Sequence, residues 1–586
     1  MTDVRHSAPG EGAVQPVRLT GAQVLVRLLE TEAVPFVFGI VGGKLAPLLH
    51  ALSRSAIPFV GVRHEAAAAM MAAAVHAGSG RVAVALGEMG PGGLNLASGA
   101  GVAFNNNLAA LFITTNQHRA AAYPHQGMFM DMDTRAVLAP LVKWNAVVHD
   151  ARRIPELVRR AFREALSGRP GPVHLDIPQD VLAAAHDWPE EELAVAPSRY
   201  RPCAGPRPTA AQVREAAGLL AGARRPLIVA GGGVVRAEAA AAVRALARRL
   251  RAPVVPTQMG LGVVASDSPH FVGHGGLIAG SAVARAFDQA DVVVSLGCRH
   301  SSWMWDEHGP LVRRRHRMLN VNIDPSALGA PALHEIAMPC DVGQALEDVL
   351  AALQGVSVAA EPDWLPGLRQ VRAGYEAALA AVDEAVEGAM HPAALAREIG
   401  RAMPPDAIAV FDGGHTSFWS NDLTPVQETR TRFHEPGMSH LGFGLPYALA
   451  LKLLHPRRTV INITGDGSFG FTLQELDTAR RQGLAVINIV HNNEAWGIIR
   501  SGQLAQWDFE LGASLAGTDY AAIARGFGCH GETVSQPGDL APALARALVA
   551  EVPAVLDCRT AFVPHPAMPA FGSMNRYGFE ALVRPK

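Results

Sequence analysis

Residues 459–497 read TVINITGDGSFGFTLQELDTARRQGLAVINIVHNNEAWG, and the fold follows from this stretch. An apolar run ends at Thr464 and gives way to Gly465-Asp466-Gly467-Ser468-Phe469. A helical stretch comes next, and a second apolar run ends at His491-Asn492-Asn493. Apolar strands with a helix between them indicate a βαβ unit of parallel sheet covered on both faces. In such a unit both strands deliver their carboxyl ends to one edge. Asp466 and Asn493 therefore converge although 27 positions separate them. Their side-chain oxygens suit a hard cation such as Mg²⁺, which keeps few protein ligands and completes its shell with phosphate and water. Gly465, Gly467 and Ser468 let backbone N–H groups approach a diphosphate where the helix begins. A lone Gly-Asp-Gly would equally be a plain turn with an N-capping Asp; the Asn pair at matching distance favours the cation.

The same alternation runs outward in both directions. From about Leu19, short aliphatic runs such as Phe36–Phe38, Leu111–Thr114, Leu227–Ala230, Asp291–Leu296 and Ala407–Phe411 alternate with Ala/Leu/Arg-rich helical stretches. The pattern predicts an α/β chain of three doubly wound parallel-sheet domains, in keeping with about three or four domains for 586 residues. Breaks at the proline-rich Asp187–Pro208 and at Glu361–Leu365 divide it. The expected layout is a disordered tail (1–16), a first domain (17–186), a linker (187–207), a central domain (208–356), a second linker (357–384), a third domain (385–570) and a C-terminal tail (571–586). The first and third domains each open with a Gly-rich turn after a strand, as distant copies would.

Composition narrows the function classes. A net charge of −2 gives no footprint for nucleic acid or an anionic membrane surface. No apolar run reaches membrane-spanning length, and residues 1–16 lack the apolar core of a signal peptide. The five cysteines (Cys203, Cys298, Cys340, Cys529, Cys558) are scattered, which reads as reduced thiols in a cytoplasmic protein.

A second segment, Val62-Arg63-His64-Glu65-Ala66-Ala67-Ala68-Ala69-Met70-Met71, places one carboxylate at the start of an otherwise apolar helix. Alone, Glu65 is a helix-start acid favoured by the macrodipole. Together, GDGSF…NN and RHEAAAA resemble the metal signature and activating-glutamate motif of thiamine-diphosphate enzymes, and the chain as a whole resembles the acetolactate synthase family. Val37–Gly43, Gly90–Asn95, Arg169–Pro178 and Gly442–Pro446 carry the likeness along most of the sequence. The resemblance implies pyrimidine-binding, central and diphosphate-binding domains in that order. It implies Mg²⁺ held by Asp466, Asn493 and the backbone oxygen of Ala495, with Gly414, His415 and Thr416 against the diphosphate. Leu441 would bend the cofactor and Ser439 would offer a carbonyl to its amino group. Glu65 would be the catalytic acid, promoting the imino tautomer that takes the thiazolium C2 proton, which calls for an apolar setting that raises its pKa. In this family that Glu serves a cofactor held by another subunit. A homodimer or homotetramer with active sites at the subunit interface is therefore implied.

The sequence also departs from the family. Met130 stands where acetolactate synthases carry Gln, Gly502 where they carry Trp, and Lys44 follows Gly42-Gly43 where a small residue is usual. Gly43, Lys44, His125, Met130, His440 and Trp496 are the candidate substrate-pocket residues. Lys44 reads either as a ligand for a carboxylate, phosphate or sulfonate or as a surface lysine. His125, His415 and His440 are proton-transfer candidates, and His491 is read as ending its strand. Asn492–Gly497 is nearer to benzaldehyde-lyase-like members. Relatives hold FAD in the central domain through an Arg-Phe-Asp-Asp-Arg-like stretch. Here Arg299-His300-Ser301-Ser302-Trp303 replaces it, which puts a bound flavin in doubt, and the run His300–His308 is a candidate pocket edge. The expected function is a carboligase or lyase acting on 2-keto acids or similar small carbonyl donors, with a pocket unlike that of acetolactate synthesis. A simple decarboxylase, an aldehyde lyase, a flavin-linked 2-keto-acid oxidase and a non-catalytic regulatory paralogue are the alternatives.

Overall fold

The predicted apolar runs become strands because helices cover both faces of each sheet, leaving β-branched side chains no contact with water. A computed structural model describes residues 16–566 apart from 123–124, 277–279, 307–308, 330–331, 383–385 and 387–388. The tails expected at 1–16 (but for Pro16) and 571–586 lie outside the described residues.

The first sheet comprises β2 (Val37–Gly39), β3 (Phe59–Gly61), β4 (Val84–Gly87), β5 (Leu111–Asn116), β6 (Trp144–Val147) and β7 (Val173–Pro178), in the order β3-β2-β4-β5-β7-β6. A short antiparallel pair, β1 (Val17–Thr20) with β8 (Ala185–Trp188), joins the two ends of this unit. The central sheet runs β10-β9-β11-β14-β15, formed by β9 (Pro226–Ala230), β10 (Val254–Pro256), β11 (Val292–Leu296), β14 (Arg317–Val321) and β15 (Ile336–Met338). Between the third and fourth of these lies a two-stranded ribbon of β12 (Trp305–Asp306) and β13 (Gly309–Pro310). The third sheet runs β17-β16-β18-β19-β21-β20, from β16 (Ile408–Phe411), β17 (Arg432–His434), β18 (Val460–Gly465), β19 (Ile487–Asn492), β20 (His530–Val534) and β21 (Ala554–Arg559). All pairings in the three large sheets are parallel.

Counted within their own units, the first and third sheets have one and the same strand order, 2-1-3-4-6-5. The shared order supports the idea of distant copies that their Gly-rich turns suggested. In both, the order reverses between the first and third strands of the unit. Ligands of open parallel sheets bind in the crevice outside the carboxyl ends at such a reversal.

The helix Glu65–Ser79 locks the two copies together. Its small side chains let the helix Gly444–Leu454 come so close that a Cβ on Gly78 would lie 2.8 Å from Leu451 Cδ2. On another side it meets the helix Pro91–Asn105, where a Cβ on Gly99 would sit 2.6 Å from the Ala66 carbonyl oxygen. The apolar core is continuous across this contact, joining Phe38, Met70 and Ala73 to Leu449, Phe469 and Leu476. The start of the helix is fixed from the third unit, where Glu475 accepts the Arg63 N–H at 3.1 Å.

Burial pushes the Glu475 carboxyl up to about 7, from an ordinary 4.5, against the opposing pull of its hydrogen bonds. Between those values the folded chain binds a proton that the unfolded chain has released. The group's contribution is thus complete below its unfolded value and lost as pH rises through about 7. Glu475→Gln removes the charge and keeps an oxygen for the N–H groups. Relative to wild type, its unfolding free energy is expected to gain about 2–3 kcal/mol between roughly pH 5 and 8. Denaturant titrations across that range check this, and a difference that does not change with pH refutes it.

Candidate active site

The reversal point of the third sheet opens into a cavity of about 260 Å³. Its walls are mainly the segments that leave the carboxyl ends of β16, β17, β18 and β19. The third-unit cofactor, metal and pocket candidates line it, namely Gly414, His415, Thr416, Ser439, His440, Leu441, Gly465, Asp466, Gly467, Ser468, His491, Asn493, Ala495 and Trp496, whereas Gly502 does not. His491 belongs to β19 and also reaches the cavity, which goes beyond its expected place at a strand end.

The Asp466 carboxylate is the centre of the arrangement. One oxygen accepts the Gly467 N–H at 2.7 Å and the other the Ala495 N–H at 3.3 Å, so it bridges the ends of β18 and β19. Burial raises its pKa to about 6, while N–H groups of Gly467, Ala495, Glu494 and Asn493 act in the opposite sense. The loop that brings these N–H groups round holds Glu494 at φ 57°, a left-handed conformation a glutamate adopts only under constraint. Beside it, Asn493 Oδ1 is buried with no hydrogen-bond partner. A buried orphan acceptor next to a buried carboxylate is the signature of a missing donor or cation. Two oxygens from Asp466 and Asn493, with the Ala495 carbonyl nearby in chain, fit a hard cation of the Mg²⁺ type. Gly467 is obligatory for close approach: its Cβ would lie 2.5 Å from Cζ3 of the Trp496 indole.

Two further carboxylates escaped the sequence reading. Asp412, directly after β16, accepts the N–H groups of Gly442 (3.1 Å) and Gly444 (3.0 Å) and so fixes the turn that carries Leu441. Burial pushes its carboxyl up to about 7. Glu435 accepts the N–H groups of Met438 and His440, both at 2.7 Å, and the side chain of Asn106 from the first unit. It thereby shapes the loop in which Ser439 is held at φ 53°. The only signal for either was a carboxylate just past an apolar strand. Among the described residues no lysine or arginine lines the cavity. Its histidines are held neutral by burial, His415 at about 4 and His434 and His491 at about 3. His440 also lies below its ordinary value through burial, and its ring contacts Ser98 and the Leu441 carbonyl.

Glu65 does not line this cavity in its own chain. It is buried at the carboxyl edge of the first sheet, accepting the Asn95 side-chain N–H at 2.9 Å. Gly92, whose Cβ would sit 3.1 Å from Glu65 Oε1, keeps that edge open. Gly43 and Lys44 share the edge. Gly43 faces open space, and the Lys44 ammonium donates to Gln179 Oε1 at 3.1 Å. Met130 adopts φ 60° and lays its carbonyl against Gly90. His125 pairs with Asp131 inside the same loop, whose N–H groups at Gln126 and Gly127 the Asp131 carboxylate also holds. Gly502 is buried within the helix Gly497–Trp507.

Among the described residues, Trp303 alone enters the cavity from the central unit, packing edge-on against His434 at 5.0 Å. His300 instead bonds Ser295 at 2.8 Å, and Arg299 donates to the Asn105 carbonyl. Residues 307–308 of the predicted pocket-edge run lie outside the described residues. A separate cavity of about 790 Å³ lies between the first and central units, bordered by Gly231–Gly233, Arg236, Arg299 and Asp324.

Three family models match the chain: "Thiamine pyrophosphate enzyme, N-terminal TPP binding domain" over residues 19–137, its central domain over 213–349, and its C-terminal TPP binding domain over 412–558. The chain is 34% identical over 536 residues to a "Probable 2-ketoarginine decarboxylase" of Pseudomonas aeruginosa, covering 90% of this chain and 91% of that one. It is 28% identical over 553 residues to a "Probable acetolactate synthase large subunit" of Methanocaldococcus jannaschii, covering 92% and 91%. To the acetolactate synthase isozyme 1 large subunit of Escherichia coli it is 29% identical over 547 residues, covering 92% and 94%.

The contact between Gly467 and the indole has a direct consequence. Gly467→Ala is expected to displace Trp496 and lower stability by about 1–3 kcal/mol. A shift in tryptophan emission together with an earlier unfolding midpoint would verify it; an unchanged spectrum would not be compatible with the contact.

Proposed function

The chain belongs to the thiamine pyrophosphate enzyme family, and on that premise we propose that it is a thiamine-diphosphate- and Mg²⁺-dependent enzyme that breaks and makes carbon–carbon bonds beside the carbonyl of a 2-keto acid. The observation that carries the proposal is the orphan Asn493 Oδ1 beside the buried Asp466 carboxylate, at the reversal point of a parallel sheet. Asp466, Asn493 and the Ala495 carbonyl would hold Mg²⁺. Gly414, His415, Thr416, Gly465, Gly467 and Ser468 would surround the diphosphate. Without a lysine or arginine lining the cavity among the described residues, the dication is needed to balance that anion. Leu441 would press on the middle of the cofactor, and the Ser439 carbonyl would meet its amino group.

When bound, the cofactor supplies a nucleophilic carbon and an electron sink for the pair released with CO₂. Glu65 would hold a proton against the cofactor's ring nitrogen, oriented by the Asn95 N–H. Because Glu65 is absent from the cavity of its own chain, the site is proposed to be completed by Glu65 of a second copy. That makes the enzyme at least a homodimer, and a homotetramer of cytoplasmic location in the fuller reading. Flavin has no part in the proposal. The primary reading is carboligation, supported by likeness to acetolactate synthases, with Met130 and Gly502 altering the acceptor side. A second reading, release of the aldehyde after decarboxylation, is favoured by the 34% identity to the 2-ketoarginine decarboxylase.

The decisive experiment supplies purified protein with thiamine diphosphate, Mg²⁺ and a panel of 2-keto acids, and tracks CO₂ release and products by mass. Ligation products support the first reading and free aldehydes the second. Absence of turnover with every acid overturns both. Glu65→Gln is expected to lower kcat by about 10²–10⁴-fold while cofactor affinity by calorimetry stays unchanged. Asp466→Ala or Asn493→Ala is expected to abolish Mg²⁺-dependent cofactor binding. Mixing Glu65→Gln with Asp466→Ala protein should restore activity if sites are shared between copies. Failure to complement, with mixed oligomers demonstrated, would refute the shared site.

A further inference from the structure

The shared strand order of the first and third sheets makes their edges comparable position by position. In the third sheet the reversal point lies between β16 and β18, and the residue directly after β18 is Asp466. In the first sheet it lies between β2 and β4, and the residue directly after β4 is Glu88. This second carboxylate belongs to the same edge as Glu65. Gly92 lies between them, its Cβ position 3.1 Å from Glu65 Oε1 and 3.2 Å from Glu88 Cβ.

Glu88 is half-buried, and its carboxylate turns toward the loop after β2. It accepts the Lys44 N–H at 3.1 Å and the Leu45 N–H at 3.3 Å, and Gly42 must lack a side chain because a Cβ would lie 1.9 Å from Glu88 Oε2. Among the described residues no lysine, arginine or histidine side chain reaches it as an ion-pair partner. The Lys44 ammonium, although its own backbone N–H is held by Glu88, goes to Gln179 instead. Next to this unneutralised carboxylate, Gly43 has nothing within 4 Å of where its side chain would be. The edge thus presents a fixed negative charge, an open approach, and the proposed catalytic acid one glycine away.

We propose that Glu88 is a specificity-determining residue that reads a cationic group, ammonium or guanidinium, at the far end of the 2-keto acid's side chain. This inference rests on the 2-keto-acid chemistry proposed for the cofactor site. Two backbone N–H groups and the Thr115 hydroxyl at 3.5 Å pre-orient the carboxylate without neutralising it, so a substrate cation meets a charge already held in place. An anionic side chain would be repelled by the same group. Lys44 then contributes through its backbone N–H and leaves its own charge away from the substrate.

The test uses full-length holoenzyme with the 2-keto acids of arginine, norleucine and aminoadipate, which are cationic, neutral and anionic at comparable length. Wild type is expected to favour the arginine keto acid over the norleucine one in kcat/KM by on the order of 30-fold. Glu88→Gln keeps an oxygen for the Lys44 and Leu45 N–H groups and removes the charge. It is expected to erase that preference chiefly through KM, with the neutral acid within about twofold of wild type and an unchanged unfolding midpoint. Equal use of all three acids by wild type overturns this inference alone. A uniform loss on all acids in Glu88→Gln does the same, since it would assign Glu88 to holding the Gly42–Gly43 loop. No turnover of any acid with cofactor bound overturns the underlying reading and this inference with it.

Discussion

Burying the Asp466 carboxylate is the constraint from which the arrangement of the third unit follows. An ionised carboxylate taken from water is costly unless N–H groups or a cation replace its hydration. Here Gly467 supplies one N–H from its own turn and Ala495 another from the neighbouring strand end, so both chain segments must arrive at one place. Parallel strands on adjacent positions achieve this, and the register Gly465 with His491 brings the two ends level. Glycine at 467 and the left-handed Glu494 are the local consequences. The carboxyl nonetheless stays raised toward about 6, so the N–H groups offset only part of the burial. A dication would supply the rest.

The same logic organises the neighbouring turns. Asp412 and Glu435 are spent on backbone N–H groups of the 435–444 segment, which is how a loop with a left-handed serine keeps one conformation. With these carboxylates committed and the histidines uncharged, the cavity has no positive side chain of its own among the described residues. An anion in such a space would have to be met by backbone N–H groups at the helix starts and by a cation, and this electrostatic argument agrees with the unpaired Asn493 oxygen without depending on it.

Much of this was legible in the sequence because it rests on local pattern. Apolar runs of strand length separated by helices imply parallel sheets, and parallel sheets bring Asp466 and Asn493 together whatever lies between. Glu65 stood out because one acid among alanines has no surface to explain it. What remained hidden depends on contacts between distant segments. Asp412 and Glu435 looked like ordinary acids after strands, since nothing nearby names the N–H groups they hold. Trp303 falls within the run His300–His308 that the sequence marked as a pocket edge, but no spacing could tell which residue of that run reaches the cavity. Lys44 reads as a free charge in sequence, and only Gln179, from the end of β7, shows where its ammonium goes.

The two copies of one sheet plan also differ in a way that explains their division of labour. In the third unit the reversal point is lined by indole, phenyl and imidazole rings, and its carboxylate is buried among N–H groups, conditions that suit a metal ion and a diphosphate. In the first unit the corresponding carboxylate is half-buried near a glycine with empty space around it, and the acid that follows β3, Glu65, is the buried one. The two crevices are built alike, and the one proposed to serve the cofactor's phosphate end is the one whose carboxylate is the more deeply buried. The first-unit crevice would then face whatever is brought to the cofactor, and on the proposal its carboxylate would sort what arrives. On the proposed roles, a difference in burial on a shared frame would separate binding of the cofactor from selection of the substrate.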